Sequence, residues 1–147
     1  MDLIYLDYNC FQRRFDDPRQ TRIQMEALAC QDIFIKAQEQ EVKLIWSFIH
    51  QDETNLCPFP ERKYAVLYLV ALCQVRVGPN TEIYQLAQRF NQEGGLSAKD
   101  ALHLGCAISG RANVFLSCDD KLIKKARQLN LEIGLMNPVD YIRQENN

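Results

Sequence analysis

Leu3-Ile4-Tyr5-Leu6-Asp7 opens the chain with four apolar residues followed directly by a carboxylate. The run is too short for a helix and reads as a strand. An acid at the end of an apolar strand is costly to bury without a partner, so Asp7 stands out. The pattern returns late in the chain, where Val114-Phe115-Leu116-Ser117 leads into Cys118-Asp119-Asp120. Val42–Trp46 is a third such run, ended by Ser47. Gln74–Val77 and Leu131–Met136 complete the set of expected strands.

Helical patterns lie between these runs. Thr21–Gln40 places Ile23, Ala27, Ala29, Ile33, Phe34 and Ala37 at near-helical spacing. A short helix is expected over Phe48–Asn55, and Cys57-Pro58-Phe59-Pro60 breaks the chain after it. Glu61–Leu72 reads as a mostly buried helix, with Tyr64 and Tyr68 as core beside Trp46 and Phe48. After the Gly78-Pro79-Asn80 turn, Thr81 is expected to cap a helix reaching Gln92, stopped by Glu93-Gly94-Gly95. Ser97–Ser109 and Asp120–Leu129 follow, and Pro138 suits the first position of a last helix to Arg143. Strands alternating with helices predict an α/β fold. The expected fold is one domain, residues 1–147, with a central, mostly parallel sheet flanked by helices on both faces.

Composition bounds the function. The chain has 147 residues, 47% hydrophobic and 24% charged, the profile of an ordinary globular domain. The longest apolar stretch, Tyr64–Cys73, is too short to span a membrane. Met1–Asp7 has neither the basic flank nor the cleavage site of a secretory signal, so a cytoplasmic protein is expected. A net charge of −2 neither implies nor excludes a nucleic-acid partner. Six cysteines form no C-x-x-C pair; several sit in apolar runs, and all six are read as free, reduced thiols.

Sites in open parallel sheets form beyond the carboxyl ends of strands. Asp7 and Asp119 fall there, Asp100 lies in the first turn of the Ser97 helix, and Glu53 follows the second strand by six residues. Asp52 is adjacent, and helical phase could favour either acid. Each also has a purely structural reading. Asp119 fits a helix cap, and Ser97-Ala98-Lys99-Asp100 fits a capping box. Converging carboxylates would repel one another, and a hard divalent cation such as Mg²⁺ or Mn²⁺ is the natural compensation.

These motifs resemble those of PIN-domain nucleases of the toxin-type, VapC-like branch. Ile4-Tyr5-Leu6-Asp7-Tyr8-Asn9 resembles the family's opening strand. Asp100-Ala101-Leu102-His103-Leu104-Gly105-Cys106-Ala107 is similar to its central D-A-x-H helix. Phe115–Leu122 resembles its strand-to-helix segment, and Trp46-Ser47 through Glu53 the segment with its glutamate. The resemblance implies metal-site acids at Asp7, Glu53, Asp100 and Asp119, with Asn9 and Ser117 as polar supports. It implies a Mg²⁺- or Mn²⁺-dependent endoribonuclease, often the toxin of a toxin–antitoxin pair and often a homodimer. Tyr8 departs from the pattern, since toxins commonly carry Thr or Ser there, and its phenol could crowd the site.

Arg13, Arg14 or Lys121 could steer RNA towards the acids. Two alternatives remain: a PIN-like RNA- or protein-binding module with a weakened site, and a phosphatase of the haloacid dehalogenase type. The phosphatase needs a second Asp two residues after the first, where this chain has Asn9.

Overall fold

The computed structural model describes residues 1–145, so the last two positions of the expected 1–147 domain lie outside the described residues. Five strands form one sheet: β1 (Leu3–Leu6), β2 (Lys43–Ser47), β3 (Val75–Val77), β4 (Val114–Leu116) and β5 (Gly134–Met136). Their order is β3-β2-β1-β4-β5, and every pairing is parallel. The chain winds from central β1 outward to β3, then restarts on the other side of β1 with β4. The carboxyl ends of β1 and β4 therefore flank the point where strand order reverses, the usual place for a site in such sheets.

The helices are α1 (Tyr8–Gln12), α2 (Thr21–Gln38), α3 (Phe48–Leu56), α4 (Pro60–Val70), α5 (Thr81–Gly94), α6 (Ala98–Ser109), α7 (Asp120–Arg127) and α8 (Pro138–Glu145). Successive strand side chains point to opposite faces, and each face has its own core. Ile4, Leu6, Leu44, Trp46, Val114 and Leu116 pack under Phe11, Cys30, Ile33, Leu69 and Tyr141 of α1, α2, α4 and α8. Tyr5, Ile45, Phe115 and Leu135 pack under Ile83, Phe90, Leu104 and Ile123 of α5, α6 and α7. Each fully buried side chain of this size contributes about 1.5–3 kcal/mol.

Local chemistry sets the helix ends that matter for the site. Ser47 ends β2 and caps α3, accepting from His50 N while the His50 ring takes the Ser47 backbone N–H. Ser97 caps α6 by accepting from Asp100 N. Asp119 caps α7. Asn80, rather than Thr81, caps α5, its Oδ1 accepting from Ile83 N at 2.9 Å. Gly95 ends that helix at φ +67°, where a side chain would be strained.

Three further expectations change. The sequence reading missed α1 and the 3₁₀ turn Arg13–Phe15 after it, because five residues are too few for a periodic signal. The last strand is Gly134–Met136, half the length expected. Helix α4 is not mostly buried: only Val66 and Leu69 are, while Tyr64 and Tyr68 are 71% and 82% exposed. Their outward direction removes them from the core and puts apolar surface on the outside of the molecule.

Candidate active site

Asp7 sits where β1 becomes α1 and is 7% exposed. Its Oδ1 accepts from Tyr8 N at 2.7 Å. Its Oδ2 accepts from Ser117 Oγ at 2.7 Å and from Asn9 Nδ2 at 3.2 Å. Burial pushes the Asp7 carboxyl above its ordinary range, the His103 imidazole and the Ser117 hydroxyl pull it back, and the charge of Asp100 raises it again. Among the described residues no lysine, arginine or histidine forms an ion pair with Asp7.

The β4 end reaches the same place through Ser117. Its Oγ accepts from Asp119 N at 3.0 Å and from Asn9 Nδ2 at 3.2 Å while donating to Asp7. The Asp119 Oδ1 takes the backbone N–H groups of Lys121 and Leu122, which leaves Oδ2 for another partner. The neighbouring acid, Asp120, is committed elsewhere, in a two-pronged contact with the Arg22 guanidinium at 2.6 and 2.7 Å.

Glu53 turns inward from α3, whereas Asp52 is exposed. The Glu53 Oε1 meets His103 Nε2 of α6 at 2.5 Å, and Oε2 lies 3.7 Å from Lys99 Nζ. His103 Nδ1 contacts Tyr5 Oη at 2.6 Å, and Tyr5 Oη contacts Ser47 Oγ at 2.8 Å. His50 Nε2 reaches the Leu6 carbonyl at 2.7 Å. A carbonyl only accepts, so His50 carries its proton on Nε2 and receives the Ser47 backbone N–H on Nδ1. The contacts accommodate a chain in which Ser47 donates to Tyr5, Tyr5 to His103 Nδ1, and His103 Nε2 to Glu53. Burial, with His103 nearby, holds the His50 pKa well below 6.5. This buried network ties α3 and α6 to β1 and β2 and fixes where Glu53 points.

Asp100, in the first turn of α6, is half-buried, and among the described residues no ion pair holds its carboxylate. Its charge is felt at Asp7. Asp100 is thus near enough for its charge to act on Asp7, Glu53 reaches His103 on the same helix α6, and Asp119 is joined to Asp7 through Ser117. They do not form a closed cage. Among the described residues no three carboxylates bring their oxygens within 4.8 Å of one another. Mg²⁺ usually keeps several waters and takes one or two carboxylates directly, so hard oxygen donors that do not close into a cage fit a hydrated cation.

Sequence reasoning missed several participants. Tyr5 read only as part of the first apolar strand, and His50 offered no partner in sequence. Lys99, not singled out in the sequence, lies 3.7 Å from Glu53, while Lys121, which was, is exposed in the first turn of α7. Arg13 is not free to steer a substrate, because it pairs with Asp16 at 2.9 Å and with Glu26 at 3.3 Å. Tyr8 does not crowd Asp7: its phenol is buried, bonded to Thr54 Oγ1 at 2.9 Å and Gln12 Nε2 at 3.2 Å.

Beyond α1, an apolar groove of about 370 Å³ runs between α2 and α4, lined by residues including Phe11, Leu28, Phe34, Tyr68 and Leu72. Among the described residues no helix is long and apolar enough to cross a membrane.

Solved structures with the same arrangement exist. A chain of FitAcB from Neisseria gonorrhoeae superposes with a TM-score of 0.61 at 16% identity, over 92% of this chain and 97% of that one. A chain of VapBC2 from Rickettsia felis, in a structure bound to a DNA fragment from their promoter, gives 0.57 at 16% identity, over 91% and 98%. At this identity the likeness is one of fold, and the fold is the single PIN-like α/β domain implied by the sequence motifs. No protein-family model matches the chain, and no curated protein does.

Proposed function

We propose that this protein is a VapC-like PIN-domain endoribonuclease, dependent on Mg²⁺ or Mn²⁺, and the toxin of a toxin–antitoxin pair. The observation that carries the reading is Asp7, a buried carboxylate at the switch point of the sheet with, among the described residues, no cationic side chain paired to it. Burying a charge without a counter-charge is costly. A divalent cation shared with Asp100 and Asp119 would supply what the chain does not. Glu53 completes the set of acids, held in place by His103 and Tyr5.

When bound, the cation supplies charge neutralisation at the phosphoryl oxygens, activation of a water and stabilisation of the leaving oxygen. The chain's own residues prepare for this. Ser117 and Asn9 fix the Asp7 carboxylate by donating to Oδ2. Lys99 and Lys121 offer positive charge to an RNA backbone that the acids would otherwise repel. The placement of Tyr8 away from Asp7 removes the main argument for a weakened, binding-only site.

Protein partners are supported by the groove between α2 and α4 and by exposed Leu28, Tyr64 and Tyr68 beside it. An antitoxin segment or a second copy of the chain would cover apolar surface there. The test of activity is cleavage of a mixed RNA pool. Cleavage should need Mg²⁺ or Mn²⁺, stop with a chelator and be absent in Asp7→Asn. Full activity in excess chelator would refute the proposal.

A further inference from the structure

Behind the acids lies a second cluster that the proposed reaction does not use. Cys10 of α1, Cys30 of α2 and Cys118 after β4 bring their three sulfurs within 4.8 Å of one another. The sequence separates them widely, so no zinc-type spacing announces them. All three are buried, as free thiols, at the inner end of the groove between α2 and α4. Cys10 and Cys30 line that groove, which gives the cluster a path to solvent.

We propose that Cys10, Cys30 and Cys118 form a site for one thiophilic cation, Cu⁺ or Zn²⁺, distinct from the acid site. Thiol sulfur is a soft donor that selects such ions over Mg²⁺ or Mn²⁺. With metal–sulfur distances near 2.3 Å, three sulfurs around one ion stand about 4 Å apart, so little movement is needed. Three sulfurs alone can satisfy Cu⁺; Zn²⁺ would add a fourth donor, a water entering from the groove. Binding releases the thiol protons to solvent and leaves a negatively charged centre. Arg13 stands beside Cys118 to offset that charge. Its Nε is buried without a hydrogen-bond partner, 3.3 Å from Glu26 Oε1.

The cluster and the acids share a hinge point in Asn9. Its Nδ2 donates to Asp7 and Ser117, while its Oδ1 accepts from Cys118 N at 3.2 Å and from Cys10 Sγ at 3.4 Å. Binding gives up the Cys10 S–H donor, and the ion itself, held by both Cys10 and Cys118, would join the two loops that carry Asp7 and Asp119.

The test adds excess Zn²⁺, or Cu⁺ under anaerobic reducing conditions, to the full chain. Unbound metal is then removed and the metal-to-protein ratio measured. Wild type and Asp7→Asn should each retain one ion per chain, and Cys30→Ser and Cys30→Ala almost none. Which ion is retained distinguishes the two sources. X-ray absorption of the loaded wild type should show a first shell dominated by sulfur, a readout that survives if the Cys30 variants fail to fold. The proposal is overturned if wild type retains neither ion, if retention is lost in Asp7→Asn but kept in the Cys30 variants, or if the first shell contains oxygen alone. Because Asp7→Asn should retain this ion while losing nuclease activity, the two readings fail separately.

Discussion

Ser117 and Asp7, 110 positions apart in sequence, are joined by a hydrogen bond of 2.7 Å from Oγ to Oδ2. The same Ser117 Oγ accepts from Asp119 N. One hydroxyl thus sets the distance between the end of β1 and the start of α7, and both proposed ligands depend on it. Ser117→Ala removes a hydrogen bond to the ionised form of Asp7, so the raised pKa of Asp7 rises further. A charge-assisted bond contributes about 1.5–3 kcal/mol. Mn²⁺ competes with the Asp7 proton, so its binding should move to higher pH by about one to two units. Mn²⁺ titrations of wild type and Ser117→Ala across a pH series measure this, and coincident curves would remove Ser117 from the site.

Asp119 has two roles that substitution separates. As the cap of α7 it accepts two backbone N–H groups. Without metal, Asp119→Ala should lose about 0.5–2 kcal/mol, whereas Asn, itself a good cap, should cost little. Both should weaken Mn²⁺ binding, because neither supplies a charged oxygen. Denaturation in chelator and again with Mn²⁺ resolves the pair. An Asn variant that binds Mn²⁺ like wild type would leave Asp119 a cap only.

Glu53, not Asp52, should be the acid that matters, since only Glu53 meets His103. Glu53→Gln should lower RNA cleavage about 10–100-fold, the usual cost of disturbing a group that orients a metal site. Asp52→Asn should leave it unchanged. The reverse result in side-by-side assays would move the site to the solvent face of α3.

His50 gives the pH dependence its sign. Its folded pKa lies well below 6.5, so the folded state stays neutral where the unfolded chain takes up a proton. The unfolded state then binds more protons, and stability is lost as pH falls below about 6.5. Urea melts between about pH 5 and 8 should show this loss. The His50 ring signals should stay those of a neutral imidazole throughout; titration with an ordinary midpoint would contradict the buried Ser47–His50–Leu6 arrangement.

Most of the strands and the places of the acids were legible from local patterns. Leu3–Leu6 and Val114–Leu116 are apolar runs ended by polar turns, and a parallel sheet puts their carboxyl ends together. Side-chain direction was not legible. Helical spacing in Glu61–Leu72 could not show that Tyr64 and Tyr68 face outward, because that depends on which side of α4 the sheet covers. Nor could it choose Glu53 over Asp52, which took a partner 50 residues away on α6. The sulfur cluster was hidden for the same reason: Cys10, Cys30 and Cys118 meet only once α1, α2 and β4 are packed.

The exposed tyrosines and Leu28, 61% exposed, make self-association testable. Light scattering over a concentration series should show a dimer, and Tyr68→Glu should shift it to monomer by placing charge on the apolar face. A wild-type chain that stays monomeric at high concentration removes the homodimer and leaves the groove to an antitoxin.

The central claim is that Asp7, Asp100 and Asp119 hold a divalent cation, and thermal melts with and without Mn²⁺ test it most directly. An ion binding only the folded protein stabilises it by about 2.7 kcal/mol at a hundredfold excess over its Kd. Wild type should therefore melt higher with Mn²⁺. Asp100→Asn should melt at least as high as wild type in chelator, because like charges no longer crowd the pocket, and neither Asp100→Asn nor Asp7→Asn should show a Mn²⁺ shift. A wild type unmoved by Mn²⁺, or an Asp7→Asn protein shifted as far as wild type, would contradict the metal site and the ribonuclease built on it.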